Sequence, residues 1–456
     1  MSRKLSRRLF LGAASATGLT LLTSRKSPGE PASAGGEATP KTLNVACCGV
    51  NGRGAADLAG ISKHANVTAL CDVDSNSLSA ASKLHPAART YADFRKMMDD
   101  AKNFDAVVVA TPDHMHAPIA MTAIQLGKHV YCEKPIAHDL YEVRMLTEAA
   151  RKNKVMTQMG NQAHSSDGVR MAVEWINAGA VGNVKEIHVW NNRPIWPQAF
   201  PMPTRTAGPP ATLDWDLWLG TAPVMPYYVE LNKDGKEMSP IHPFKWRGWW
   251  AYGTGALGDM GCHLLDVSYW ACKLTAPTAV TAKQEGNTDY CGPAWSIIEY
   301  EFPAANGRGP IKLAWHDGGK FPPRPPELEP DRDLPKGDGG TLFIGDKGTM
   351  LMPYGTAATP RLIPESAMKE FKRPEPSIAR VEGGTNGHHK NFVDACLGGK
   401  PAGSNFDHSG PLTEIVLLGN LAIRAGKRVE WDSANLKLSN APELQHLVKR
   451  EYRKGW

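Results

Sequence analysis

Three observations predict an α/β protein with two unlike halves: a doubly wound parallel sheet first, then an α+β domain with an open, mostly antiparallel sheet. Short apolar runs alternate with helical stretches from residue 43 to about residue 160, the pattern of strands buried on both faces. Beyond residue 184 strand-like runs follow one another with no regular helix between successive members, which argues for antiparallel pairing with helices on one face. A chain of 456 residues exceeds what one ordinary core organises, so two domains are expected.

Strands are expected at Asn44–Cys48, Val67–Cys71, Ala106–Ala110 and His129–Cys132. Between them lie helical stretches at Ala55–Lys63, Ser77–Leu84, Phe94–Ala101 and Ala117–Leu126. A helix at Leu140–Lys152 and a strand at Val155–Gln158 complete the first domain near residue 160. In the second half the strand-like runs are Val184–Asn191, Ala279–Gln284, Ile297–Phe302, Ile311–Trp315 and Gly340–Ile344. Gly345-Asp346-Lys347-Gly348 reads as a hairpin turn, residues 317–338 as a Pro- and charge-rich loop, and helices near His388–Cys396 and Leu412–Ala425 close the domain. The expected division is a signal over 1–34, a Pro/Gly/Ala-rich linker over 35–41, and domains over 42–160 and 161–456.

The N-terminus has the features of an export signal. Ser6-Arg7-Arg8-Leu9-Phe10-Leu11 is a twin-arginine motif, and Ala32-Ser33-Ala34 offers a cleavage site. The apolar run from Leu9 to Leu22 contains Gly12 and Gly18 and is too short and polar for a stable membrane span. A Tat translocon would deliver the chain already folded, with its cofactor loaded, to the periplasm or another extracytoplasmic space. The net charge of +6 is matched by Arg3, Lys4, Arg7, Arg8, Arg25 and Lys26 near the start, so no basic surface for nucleic acid is expected. None of the eight cysteines shows CxxC or zinc-ligand spacing.

The chemistry begins where the first strand ends, at Gly49-Val50-Asn51-Gly52-Arg53-Gly54. A dinucleotide loop needs glycine for its tight turn, a small residue near the pyrophosphate, and glycine where helix meets strand. Gly49 and Gly54 keep the outer places, and Asn51, which tolerates left-handed backbone, takes the middle one. Asp72 ends the next strand eighteen residues after Gly54, placed to accept from a ribose hydroxyl and to favour NAD over NADP. Thr111, Pro112 and His116 follow the third strand, beside the expected nicotinamide position. His114 and His116 have no third ligand spaced to join them, so no metal is expected. Glu133-Lys134-Pro135 follows the fourth strand and aims a lysine into the crevice at the sheet's carboxyl end, where desolvation suits it to proton chemistry.

In the second half, Leu257–Cys272 has helical period. Asp259 and His263, four residues apart, share one face, with Asp266 a turn further on. A carboxylate beside an imidazole orients it and raises its basicity. Seven of thirteen tryptophans, among them Trp196, Trp218, Trp246 and Trp249, fall between residues 190 and 250. They are interleaved with Asn191, Asn192, Arg193, Lys245 and Arg247, a mixture suited to stacking on and hydrogen-bonding a sugar ring. Two or three of them are expected to touch a ligand.

Taken as an ordered set, the glycine loop, Asp72, Thr111-Pro112 with His116, Gly127-Lys128-His129-Val130, Glu133-Lys134-Pro135 and Asp259-x-x-x-His263 resemble the Gfo/Idh/MocA family of nicotinamide-dependent oxidoreductases. The resemblance implies a Rossmann domain, tightly bound NAD, a homo-oligomer built on the open sheet, and catalytic roles for Lys134, Asp259 and His263. It implies hydride transfer between the nicotinamide and a secondary hydroxyl of a sugar, glycoside or polyol. His263, held by Asp259, would take the hydroxyl proton and Lys134 would bind the same oxygen. Asn161, Gln162, His164 and Trp249 are further candidate substrate contacts. An alternative expectation is a glycosidase that uses bound NAD for oxidation, elimination and re-reduction with no net redox change.

Overall fold

The computed structural model describes residues 42–355 and 358–456. The export signal and the linker expected over 1–41 lie outside the described residues. The first sheet is built in chain order from β1 (Asn44–Cys48), α1 (Arg53–Ile61), β2 (Asn66–Cys71), α2 (Ser75–Leu84), β3 (Arg89–Tyr91), α3 (Phe94–Asp99), β4 (Ala106–Val109), α4 (His116–Gln125), β5 (His129–Cys132), α5 (Leu140–Asn153) and β6 (Thr157–Met159). Its six strands pair in parallel in the order β3-β2-β1-β4-β5-β6. The strand order reverses between β1 and β4, and a doubly wound sheet binds its ligand outside the carboxyl ends at that point. The central strands are buried throughout, as the unbroken run Ala-Val-Val-Val of β4 requires. β3 is a short, mostly exposed edge strand and carries no apolar run that would reveal it.

The second sheet has nine strands, in the order β15-β14-β13-β7-β12-β11-β10-β16-β17. They are β7 (Val184–Trp190), β10 (Ala279–Glu285), β11 (Trp295–Phe302), β12 (Ile311–His316), β13 (Gly340–Gly345), β14 (Thr349–Pro353), β15 (Arg361–Ile363), β16 (Val429–Asp432) and β17 (Lys437–Leu438), with a separate small hairpin of β8 (Glu230–Leu231) and β9 (Glu237–Met238). All neighbours are antiparallel except β7 and β12. β11 shows the reason for this class: Ile298, Tyr300 and Phe302 are buried while Glu299 and Glu301 face out.

The helices of this half are α6 (Asp167–Asn177), α7 (Trp215–Leu219), α8 (Gly255–Ala271), α9 (Glu365–Glu370), α10 (His388–Cys396) and α11 (Phe406–Ala425). α8 packs against α11 and α6, and α11 also reaches α5. α10 does not stay with its own sheet: Phe392 and Val393 join Val45, Val108 and Tyr131 in a cluster on the first one. The described residues therefore pack as one unit, and α8 stands across the crevice from β5. Among the described residues no helix is long and apolar enough to cross a membrane.

Candidate active site

A cavity of about 610 Å³ runs from the glycine loop past Lys134 to α8 and the aromatic segment before it. Its first wall is the turn between β1 and α1. Gly49 has φ +77°, and a Cβ there would stand 2.6 Å from the Ala110 carbonyl oxygen; a Cβ on Gly54 would meet the Gly49 oxygen at 2.0 Å. Gly52, at φ +54°, opens on empty space and caps α1 with no side-chain hydrogen bond, which leaves the leading N–H groups of α1 without a side-chain acceptor. The left-handed conformation falls on Gly49 and Gly52 rather than on Asn51. The Asn51 side chain instead accepts from the Gly52 amide at 2.7 Å. Asp72 fastens this loop: its two oxygens accept from the Val50 and Asp74 amides at 2.9 and 3.0 Å, and burial raises its pKa.

Next along the wall, the hydroxyl of Thr111 is buried without a partner. His116 ties the Thr111 and Pro135 carbonyls together, at 2.8 and 2.7 Å, and Pro112 completes this stretch of the lining. The glycine cradle, the unfilled helix start and the orphaned Thr111 hydroxyl fit a dinucleotide. Arg53 lines the same cavity and is anchored from behind, with Nη2 and Nε on Asp57 and Glu133 at 2.5 and 3.1 Å.

Glu133 is buried under this bridge and also accepts from Gln162 at 2.9 Å. Burial, then the charge of Asp57, push its carboxyl up to about 8. Lys134, joined to Pro135 by a cis peptide, spans the crevice. Its Nζ donates to the Asp259 carbonyl at 2.6 Å and to Asp259 Oδ1 at 2.8 Å. Burial alone would raise the Asp259 carboxyl, but the charges of Lys134 and Arg247 hold it below its ordinary value.

His263 corrects one expectation. The four-residue spacing does bring Asp259 and His263 to the same cavity, yet no hydrogen bond joins them, since the carboxylate is taken by Lys134. Nδ1 of His263 is buried and has no partner. Burial, then the charge of Lys134, push its pKa down to about 3, so the imidazole is neutral.

Three expected substrate contacts are elsewhere. Asn161 is buried and donates to the Cys262 carbonyl at 3.3 Å. His164 is buried on Asp266 at 2.9 Å and stacks on Trp270. Trp249 is 0 % exposed and donates to the Pro240 carbonyl; it is a core residue of the aromatic segment. Gln162 does reach the cavity, and so do Trp196, Trp218 and Trp246. Asp266 belongs with His164 and His408, whose Nε2 lies 2.6 Å from its second oxygen. The three residues bring their ligand atoms within 4.8 Å of one another, a grouping drawn from three separate segments that no local spacing shows. Tyr354, whose ring centre is 5.9 Å from that of His263, and the C-terminal Trp456 also line the cavity. Neither had a sequence signal, because each arrives on a chain segment with no motif.

A doubly wound sheet with a glycine cradle, opposed across one cavity by a lysine–aspartate pair and a neutral histidine, defines a nucleotide-binding oxidoreductase. The chain belongs to the Gfo/Idh/MocA family: it matches the family's NAD-binding Rossmann fold over residues 43–161 and its C-terminal alpha/beta domain over residues 184–307. It is 26 % identical to levoglucosan dehydrogenase of Pseudarthrobacter phenanthrenivorans over 210 residues, 44 % of this chain and 43 % of the relative. It is 30 % identical to inositol 2-dehydrogenase of Salmonella typhimurium over 124 residues, 27 % of this chain and 37 % of the relative. The chain spans less than half the length of these curated relatives. In fold it resembles the WlbA dehydrogenase of Bordetella pertussis, solved with NADH and UDP-GlcNAcA, at 17 % identity and a TM-score of 0.59 over 86 % of this chain and 99 % of that one.

Proposed function

We propose that this chain is an NAD-dependent dehydrogenase that oxidises a secondary hydroxyl of a sugar, glycoside or polyol. The observation that carries the reading is the Lys134–Asp259 pair beside an unpartnered, neutral His263, in one cavity with the dinucleotide cradle. Sugar and polyol dehydrogenases among the relatives support it. NAD bound against the glycine loop and Thr111 would supply the two-electron acceptor. Asp259 holds the lysine ammonium in place, and Lys134 donates a hydrogen bond to the reacting oxygen and stabilises charge that develops on it. Lys134, by binding that oxygen, makes the hydroxyl more acidic, and the uncharged ring of His263 takes its proton as the hydride leaves the carbon bearing it. Trp196, Trp218 and Trp246 contribute apolar edges to the wall of the same cavity.

The proposal includes export by the twin-arginine route with NAD already bound, supported by the motif at Ser6–Leu11. It also includes self-association through the open nine-stranded sheet. The test is to purify the full chain, release and identify any bound nucleotide, and supply NAD with a panel of sugars, polyols and aryl glycosides. NADH formation with a keto-sugar product is expected, and about 10²–10⁴-fold less of it in His263→Ala. Glycoside cleavage with no net NADH, or full activity in that variant, would overturn the reading.

A further inference from the structure

The substrate end of the cavity holds two arginines that make no hydrogen bond to a carboxylate, although Asp259 and Asp338 stand 3.5–3.8 Å from them. Arg193 follows β7, and Arg247 lies in the short turn Lys245–Gly248. Both stand near Asp259: Arg247 Nε is 3.5 Å from Oδ1 and Arg193 Nε is 3.8 Å from Oδ2. These separations exceed hydrogen-bond length, and Oδ1 already accepts from Lys134 at 2.8 Å. One carboxylate thus faces three cations.

The other acids nearby do not complete the pairing. Asp338 Oδ1 is 3.6 Å from Arg193 Nη1, on a side chain 61 % exposed at the rim. Asp113 takes the Thr254 hydroxyl at 2.6 Å, and burial raises its pKa. The hydrogen bonds the two guanidinium groups make go to neutral oxygens, of the Asn192 side chain and of the Phe244 carbonyl. Arg247 is nonetheless held firmly, with Cζ 4.3 Å from the Trp246 ring and 4.5 Å from the Phe244 ring. Elsewhere in the chain Arg144 and Arg380 form two-pronged pairs with Glu414 and Glu174 at 2.7–2.9 Å. Part-buried arginine forks left open on a cavity are suited to a planar anion.

We propose that Arg193 and Arg247 bind a carboxylate carried by the substrate, so that the chain acts on a sugar acid of the uronic type in preference to the neutral sugar. The inference rests on the dehydrogenase reading of the same cavity. Lys134 Nζ and Arg247 Nε approach the same oxygen of Asp259, which places the acid and the reacting hydroxyl on one sugar ring rather than on distant substituents.

The test is calorimetric titration of the NADH-loaded full chain with hexuronates, the matching neutral hexoses, and hexose 6-phosphates and 6-sulfates. At least one hexuronate is expected to bind at least ~10-fold more tightly than its neutral partner, with the margin shrinking as salt rises from about 50 to about 500 mM. In Arg247→Gln and in Arg193→Gln the margin should fall toward one; NADH titration of each variant verifies its folding, and Arg247→Lys, which keeps the charge but not the fork, should recover only part of it. A panel in which no hexuronate outbinds its neutral partner overturns the proposal, as does a preference that survives in the double variant. Tighter binding of the phosphate or sulfate esters overturns the carboxylate assignment. Failure of the dehydrogenase reading looks different: hexuronates bind in the calorimeter, yet no sugar yields NADH.

Discussion

Helix α8 carries two aspartates within reach of histidine, and their surroundings are opposite. At Asp266 both carboxylate oxygens are taken, by His164 and by His408, and His164 is closed off further by Trp270. At Asp259 the carboxylate is shared among a lysine and two distant arginines, while His263 next to it keeps a bare Nδ1. Most buried polar groups in a finished interior find partners, and one left open on a cavity is free to take a ligand's atom. The first aspartate builds the fold; the second is set on the cavity.

The largest effects test that division directly. Lys134→Met should lower kcat by about 10²–10³-fold, because it removes a donor aimed at the reacting oxygen, and should lower the melting temperature only in part, because Arg193 and Arg247 still face Asp259 at 3.8 and 3.5 Å. Steady-state kinetics and a thermal melt, run on the same preparation, check both halves; a large loss of melting temperature with modest loss of turnover would make Lys134 a structural strut. Asp266→Ala should do the reverse. Removing one partner from a buried, charged network costs about 3–5 kcal/mol, read by chemical denaturation, whereas NADH affinity of the protein that remains folded should hold. If Asp266→Ala instead abolished turnover in a folded protein, the contrast between the two ends of α8 would be lost.

How far the sequence revealed this contrast depends on how local the information is. The strands β1, β4 and β5 and the glycine turn are legible because each rests on a short apolar run or on close spacing, whereas Lys134 joins Asp259 and His263 in the sequence only through the family resemblance. What spacing could not show was the partner of each group. Asp259 and His263 sit four apart and share a cavity, but Lys134, 125 residues earlier, wins the carboxylate. His164 looked like a substrate contact just beyond the Rossmann sheet, and Asp266, 102 residues later, draws it into the interior. The tryptophans show the same limit: composition marks an aromatic platform, while packing decides that Trp249 is sealed in the core and Trp246 lines the cavity. Trp456 completes the wall from the far end of the chain, where no neighbouring residue announces it.

The smallest effect sharpens the comparison through pH. Burial and the charge of Asp57 push Glu133, on the cavity side, up to about 8. The hydrogen bonds and charges of His164 and His408 overcome burial and hold Asp266 well below the usual carboxylate range. From about pH 4.5, where an unfolded glutamate ionises, to about pH 8, the folded chain keeps a proton on Glu133 that the unfolded chain has released. Stability from this group is therefore complete below about pH 4.5 and is lost as pH rises through 8. Asp266 is ionised in both states across that window and contributes no slope. Glu133→Gln keeps an oxygen acceptor for Arg53 and Gln162 but has no proton to lose. Its melting temperature should fall less than the parent's between pH 5 and pH 9, by about 2–4 °C. Scanning calorimetry at the two pH values measures the difference, and parallel melting curves for parent and variant would show that Arg53 keeps Glu133 charged and that the cavity side is as fully paired as the Asp266 side.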